Sequence, residues 1–261
     1  MGKRSKSGIC HICGQEGPLT FEHIPPKGAF NDRPIIKPNF EQFANKGPEE
    51  KINGKIHQKG AGSFSLCAKC NNDTGAYYGN DFIDWAYQAM VLNQMSLGSG
   101  EIYYPFNIFP LRVIKQILTM FFSTNGEAFH KNNRDLARFV LNPESVYMKP
   151  DIRIFVYLMT GEYMRYTGLA SMGSFDTGKI TTLSEISFPP MGYIMTINSD
   201  PPDERLFEIT HFARYGYNQF DTVHLKLHNL PVNYYLPADF RTVDEIMDDY
   251  KRNTEDNPDL T

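Results

Sequence analysis

Two matched pairs of cysteines, Cys10 with Cys13 and Cys67 with Cys70, are the only cysteines in this chain of 261 residues. They constrain the fold more than any other feature. Two residues separate the sulfurs within each pair, the spacing at which one tight turn aims both thiolates at a tetrahedral zinc ion about 2.3 Å away. Two such knuckles make a closed site of four thiolates, so the chain between them must return on itself. Free thiols in an apolar core are the competing explanation, but Gly14 and the polar residues flanking the turns favour Zn²⁺ in a structural role.

A zinc module of this kind needs far fewer residues than the chain supplies, so a second core is expected. Hydrophobic residues at 41%, aromatics at 13% and charged residues at 21% describe a globular chain rather than a disordered one. No apolar run approaches the roughly 18 residues needed to cross a bilayer. The basic start, Met1 to Lys6, is not followed by the apolar stretch of a secretory signal. These features predict a cytoplasmic protein without a membrane partner, a compartment where paired cysteines serve as metal ligands more often than as disulfides. Net charge is −4, yet residues 1–70 hold 11 Lys and Arg against 6 Asp and Glu, while the remainder holds 15 against 24. A basic first segment on an acidic body suits a face addressed to phosphate, although chance variation between segments would produce the same asymmetry.

The predicted architecture is α+β, with a zinc module over 1–98 and a second α+β unit of unassigned role over 99–261. Up to about Gly62 the chain is rich in Pro, Gly, Asn and Lys and shows no long helical period. Residues 64–66 predict a short strand feeding the second knuckle, and Asn71, Asn72 and Asp73 offer capping side chains just beyond it. That order suggests a treble-clef-like core. Gly75 and Gly79 weaken the first turns, so the main helix is expected to settle by Asp81. Further helices are predicted over 110–123, 132–141 and 243–250, ahead of a polar tail from Asn253. Strands are predicted over 152–157, 192–197, 206–212 and 223–227, building a mainly antiparallel sheet. Val223, Leu225 and Leu227 alternate with His224, Lys226 and His228, as on a sheet wet on one face. The two histidines there, like His11 and His57, need no function to explain them. Trp85, Tyr77, Tyr78 and Tyr87 are expected to pack a helix against the second core.

Between the knuckles lies Leu19-Thr20-Phe21-Glu22-His23-Ile24-Pro25-Pro26-Lys27, and the second knuckle reads Cys67-Ala68-Lys69-Cys70-Asn71-Asn72. Together with Cys10-His11-Ile12-Cys13-Gly14, these segments resemble the HNH endonucleases of the His-Me finger (ββα-metal) superfamily. The layout is similar to that of the phage Holliday-junction-resolving endonucleases, which place an Asn directly after the fourth cysteine. The resemblance covers residues 8 to 80 and implies roles by position: His23 as general base, with Glu22 and Asn71 holding a catalytic Mg²⁺ or Mn²⁺. It implies cleavage of phosphodiester bonds in nucleic acid, DNA before RNA, in settings such as restriction or phage defence.

The residue chemistry points the same way. A neutral imidazole can take a proton from water, a contribution of about 10² to 10⁴ in rate, and a hard cation on few oxygen ligands stabilises the charge that develops at phosphorus. Thiolates suit zinc and oxygen ligands suit Mg²⁺ or Mn²⁺, so two metals with separate tasks are expected. Lys27, Lys59 and Lys69 are candidate phosphate contacts, with Lys55 beside them in a long stretch between Lys27 and Cys67 that has the composition of a flap. Two departures from the family pattern stand out. Glu22 occupies the usual Asp position, and Gly62 and Ser63 stand where a middle Asn often precedes the second knuckle. Asn72 competes with Asn71 as the ligand. The rival class is a non-catalytic zinc module that docks nucleic acid or protein. A regulatory partner or a second copy acting through the C-terminal part is compatible with either.

Overall fold

The computed structural model describes residues 6–38, 54–95, 101–161, 163–173 and 178–256. The amino-terminal part is a three-stranded antiparallel sheet with β1 (Lys6–Ile9), β2 (Glu16–His23) and β5 (Gly62–Cys67) in that order across it. Between β2 and β5 the chain makes a separate hairpin, β3 (Ile35–Pro38) with β4 (Gly54–His57). Residues 39–53 of the expected flap lie outside the described residues. Gly62 stands where β5 approaches β2 so closely that a Cβ would lie 2.1 Å from the Glu22 carbonyl oxygen. Only glycine permits that approach.

Helix α1 (Ala68–Thr74) begins directly at the second knuckle, with Cys67 as its N-cap. The helix does not wait for Asp81. Gly75 and Gly79 bound a π-helical turn, Gly75–Gly79, that joins α1 to α2 (Asn80–Met95). The glycines therefore widen the helix instead of breaking it, as π-bulges commonly do. On α2, Trp85 and Phe82 are buried, and the Trp85 ring N–H donates to the Tyr193 hydroxyl at 3.1 Å. Tyr78, in the π turn, is buried too and donates to the Val140 carbonyl, whereas Tyr87 is exposed and leans on Phe30.

Strand β6 (Glu101–Ile108) leads into α3 (Pro110–Asn125), with Pro110 in the first turn, then α4 (Glu127–Asn132) and α5 (Arg134–Leu141). Almost every side chain of α3 from Pro110 to Ser123 is buried, because the helix is covered on several sides. Seven strands form the large sheet: β6, β7 (Ile152–Thr160), β8 (Arg165–Gly173), β9 (Ile180–Phe188), β10 (Met191–Ile197), β11 (Phe207–Glu208) and β12 (Asp221–Pro231). Its path runs β6-β12-β7-β10-β9-β8, antiparallel except where β12 lies parallel to β7, and β11 pairs with β7. The fold is thus α+β with a mainly antiparallel sheet. Ile152, Ile154, Val156 and Leu158 face one apolar cluster, while Phe155, Tyr157 and Met159 face a second on the opposite side. The first cluster is continuous from Cys10, Ile12 and Cys70 through Trp85 and Ile117 to Phe212 and Leu225. Residues on both sides of position 98 share it.

The strand expected over 206–212 is not formed as such. After two paired residues the chain turns: Ile209 donates its N–H to the Ile154 carbonyl at 2.8 Å, and Thr210–Arg214 form a 3₁₀ helix. That helix still buries Phe212, so the apolar pattern is satisfied by a different local structure. At the carboxy end α6 (Val243–Asp256) runs beyond the expected 250, and residues 257–261 of the polar tail lie outside the described residues. No described helix is long and apolar enough to cross a membrane.

Candidate metal centre and the adjoining acid–histidine strand

The first knuckle is a turn in which Gly14 donates its N–H to the Cys10 carbonyl, and Cys10 donates to Gln15, each at 2.9 Å. Gly14 takes φ +71°, a left-handed conformation that favours glycine. His11 N–H donates to the Ser65 carbonyl, which fixes this turn against β5 beside the second knuckle. There the Cys67 sulfur accepts from the Cys70 N–H at 3.5 Å. The ligand atoms of Cys10, Cys13, Cys67 and Cys70 all lie within 4.8 Å of one another, and the Cys13 and Cys67 sulfurs are 3.9 Å apart. A tetrahedron with metal–sulfur bonds of 2.3 Å has edges of about 3.8 Å, so the donor set fits zinc. It is the one cluster of three or more metal-capable side chains among the described residues. The thiols already share protons: a hydrogen bond with Cys70 pulls Cys10 down to about 4, the same bond pushes Cys70 up, and burial raises Cys13. The cage can hold a metal such as zinc.

From this cage β2 runs out to its last two residues, Glu22 and His23. Glu22 is 7% exposed. Burial alone pushes its carboxyl up to about 8. No described group donates to it or pairs with it. Its oxygens are not among the fully buried side-chain atoms left without a partner, so the carboxyl edge reaches solvent, where water, a proton or a cation can satisfy it. Asn71, the first residue after the cage on α1, donates its amide to the Thr20 hydroxyl at 2.9 Å. Thr20 in turn donates to the Leu66 carbonyl. Thr20 and Glu22 are two apart on a strand and share a face, so the Asn71 side chain lies against the Glu22 face of β2. Its amide nitrogen is engaged, which leaves the carbonyl oxygen for a hard cation. Asn72, by contrast, is exposed.

His23, the last residue of β2, lies edge-on to the Phe21 ring at 5.0 Å. Burial holds its pKa below the ordinary 6.5 more strongly than a hydrogen bond to the Lys59 backbone raises it, and the positive charges of Lys27 and Lys59 lower it further. The ring is neutral at pH 7, the state in which imidazole accepts a proton. The Lys59 ammonium sits over the Phe21 and Phe64 rings, 5.3 and 5.8 Å from their centroids. Lys27 and Lys59 therefore flank the histidine with exposed positive charge. Lys69 differs: it is 82% exposed and paired with Asp73 at 2.5 Å. Lys55 lies on the separate hairpin, directly opposite Lys37.

Two further residues hold this region and carried no sequence signal. The buried Asn31 donates to the carbonyls of Pro25 and Ala61 at 2.7 and 2.8 Å and accepts from the Ala61 N–H at 2.7 Å. Tyr166, on β8 of the large sheet, donates its hydroxyl to the Ile24 carbonyl at 2.7 Å. A turn-rich stretch, Pro25 to Asp32, hints at the first; the second joins positions 142 apart, beyond any local pattern. His224 stacks on Tyr103 and His228 lies 3.5 Å from Glu101, at a distance in sequence and sheet from the knuckles.

Comparison of the chain with protein-family models, with curated proteins and with solved structures returns no match, so the residues and their geometry carry the functional reading.

Proposed function

We propose that this chain is a metal-dependent endonuclease of the HNH type, hydrolysing phosphodiester bonds in nucleic acid, DNA before RNA. The supporting observation is the pairing on one strand end of a buried, unpartnered carboxylate with a neutral histidine. Cys10, Cys13, Cys67 and Cys70 hold a structural zinc in a treble-clef-like module. Glu22 and the Asn71 carbonyl hold Mg²⁺ or Mn²⁺, which when bound supplies charge stabilisation at the phosphate. His23 accepts the proton of the attacking water as the new P–O bond forms and the bond to the leaving oxygen breaks. Lys27 and Lys59 draw the phosphate backbone to the histidine face. The module's surplus of lysine, set against an acidic body, favours this orientation of the substrate.

His23→Ala separates this reading from a non-catalytic docking module. The variant removes a half-buried ring but no zinc ligand, so zinc content and nucleic-acid affinity should stay as in wild type, with stability within about 1 kcal/mol. Cleavage of single-stranded, duplex or branched DNA, or of RNA, in Mn²⁺ should fall by roughly 10² or more. Stable binding by wild type with no cleavage of any of these substrates would favour the docking module.

A further inference from the structure

His23 ends β2 and pairs with Gly62 at the start of β5, so its place depends on how the chain leaves β2 and how it enters β5. The separation of these two segments is set by a small number of polar ties. Ile24 N–H donates to the Ala61 carbonyl at 3.0 Å, and Asn31 bridges Pro25 to Ala61. The remaining tie comes from outside the zinc module. Tyr166 donates to the Ile24 carbonyl, one residue past His23, and its ring packs against the cluster of Ile35, Ala61 and Phe188. One side chain of the large sheet therefore bonds the residue that follows His23 and packs against the cluster to which Ala61 belongs. It has no other polar function in view: its hydroxyl makes this single bond, and the residue is an interior position on β8, paired with Ile186 of β9.

We infer that Tyr166 is a positioning residue for His23, and that the large sheet thereby forms part of the site instead of being a body appended to it. Without the hydroxyl, the Ile24 carbonyl loses its donor and the exit of β2 can shift relative to Lys59. A displacement of about 1 Å at a reacting group is enough to cost a large factor in rate. The inference rests on the reading of His23 as the base, but its structural half does not depend on catalysis. Loss of the tie should let the imidazole sample more than one orientation, and with it more than one tautomer.

The test uses full-length, zinc-loaded Tyr166→Phe, with ¹⁵N spectra of the His23 ring as the primary readout. The variant should keep its zinc and its cooperative melt while the ring nitrogens move from one tautomer to an exchanging mixture. Where wild type cleaves, kcat should fall about tenfold with KM within about twofold, the pattern of lost orientation and not of lost binding. Tyr217→Phe is the control, because Tyr217 donates a comparable bond to the Tyr77 carbonyl at 3.2 Å away from His23; it should leave the ring spectra unchanged. Wild-type ring spectra in Tyr166→Phe, or equal changes in both variants, would overturn the inference. Wild-type protein inert on every nucleic acid would refute the nuclease reading and leave the ring spectra to decide the positioning role.

Discussion

Two glutamates are buried among the described residues, and they are buried in opposite ways. Glu185, on β9, is fully inaccessible, yet it accepts five hydrogen bonds: two from Arg165, and one each from Tyr157, Ser187 and the Ala238 N–H. Arg165 completes the network by donating to the carbonyls of Tyr234, Leu236 and Asp239, so the pair clamps the segment after β12 to the sheet. Glu22, almost as deeply buried, has no such donor among the described residues. Lys115 on α3 lies between the two cases: it donates to the carbonyls of Asn142 and Pro143 over the Phe139 ring but has no counter-ion there, and burial lowers its pKa to about 7. A buried charge with a full set of partners is explained by the fold. A buried carboxylate with none is not, and it stands beside a neutral histidine on a strand anchored to the cysteine cage. The fold accounts for Glu185 as a structural clamp, and under the function proposed above Glu22 is the residue assigned to a cation.

The largest expected effect lies in the cage that aims β2. Cys67→Ser should abolish stoichiometric zinc in elemental analysis and, because structural zinc sites contribute on the order of 10 kcal/mol in small modules, unfold the first three-stranded sheet. Cys10 and Cys70 belong to the apolar cluster that continues into the large sheet, so the thermal melt of the whole chain should shift as well. A variant that retains wild-type zinc and melting would remove the frame on which the contrast depends. Next in size is Glu185→Gln, which leaves the Arg165 charge buried without its counter-ion. It should destabilise the protein by about 3–5 kcal/mol in urea unfolding, the usual cost of breaking a buried pair. Loss of less than about 1 kcal/mol would mean that satisfied and unsatisfied burial cannot be told apart in this way.

The parts of this fold that were legible in the sequence are those set by short-range chemistry. Two knuckles and the short strand feeding the second follow from residues within a few positions of one another, whereas the helix expected to be capped by Asn71, Asn72 or Asp73 opens at Cys67. Helix α3 was legible through its three- and four-residue apolar steps. In the large sheet three strands were not. Pro105 sits inside β6 and speaks against a strand, but β6 is an edge of the sheet, where a proline is tolerated. In β9 the buried positions carry Ser184, Glu185 and Ser187, so the alternation that marks a strand is hidden by the very network that stabilises it. Gly168 and the polar residues of β8 blur its pattern in the same way. The site divides along the same line. The cage is read from spacing and the roles beside it from the family resemblance, whereas Tyr166 reaches Ile24 only because the large sheet folds back onto β2. The partnerless state of Glu22 is likewise a property of the packed molecule.

The smallest expected change in stability belongs to Glu22→Gln, within about 1 kcal/mol, because the substitution breaks no bond and removes a group that is costly to ionise in place. The same variant gives the most direct test of the central claim. Zinc-loaded wild-type protein and Glu22→Gln are titrated with Mn²⁺, and bound metal is followed by the loss of the free-ion paramagnetic resonance signal. Wild type should bind one Mn²⁺ beyond its zinc, and the variant should bind it at least roughly tenfold more weakly with its zinc intact, since a hard cation loses its charged oxygen ligand. Equal Mn²⁺ binding by the two proteins, or none by wild type, would contradict the assignment of Glu22 to a cation.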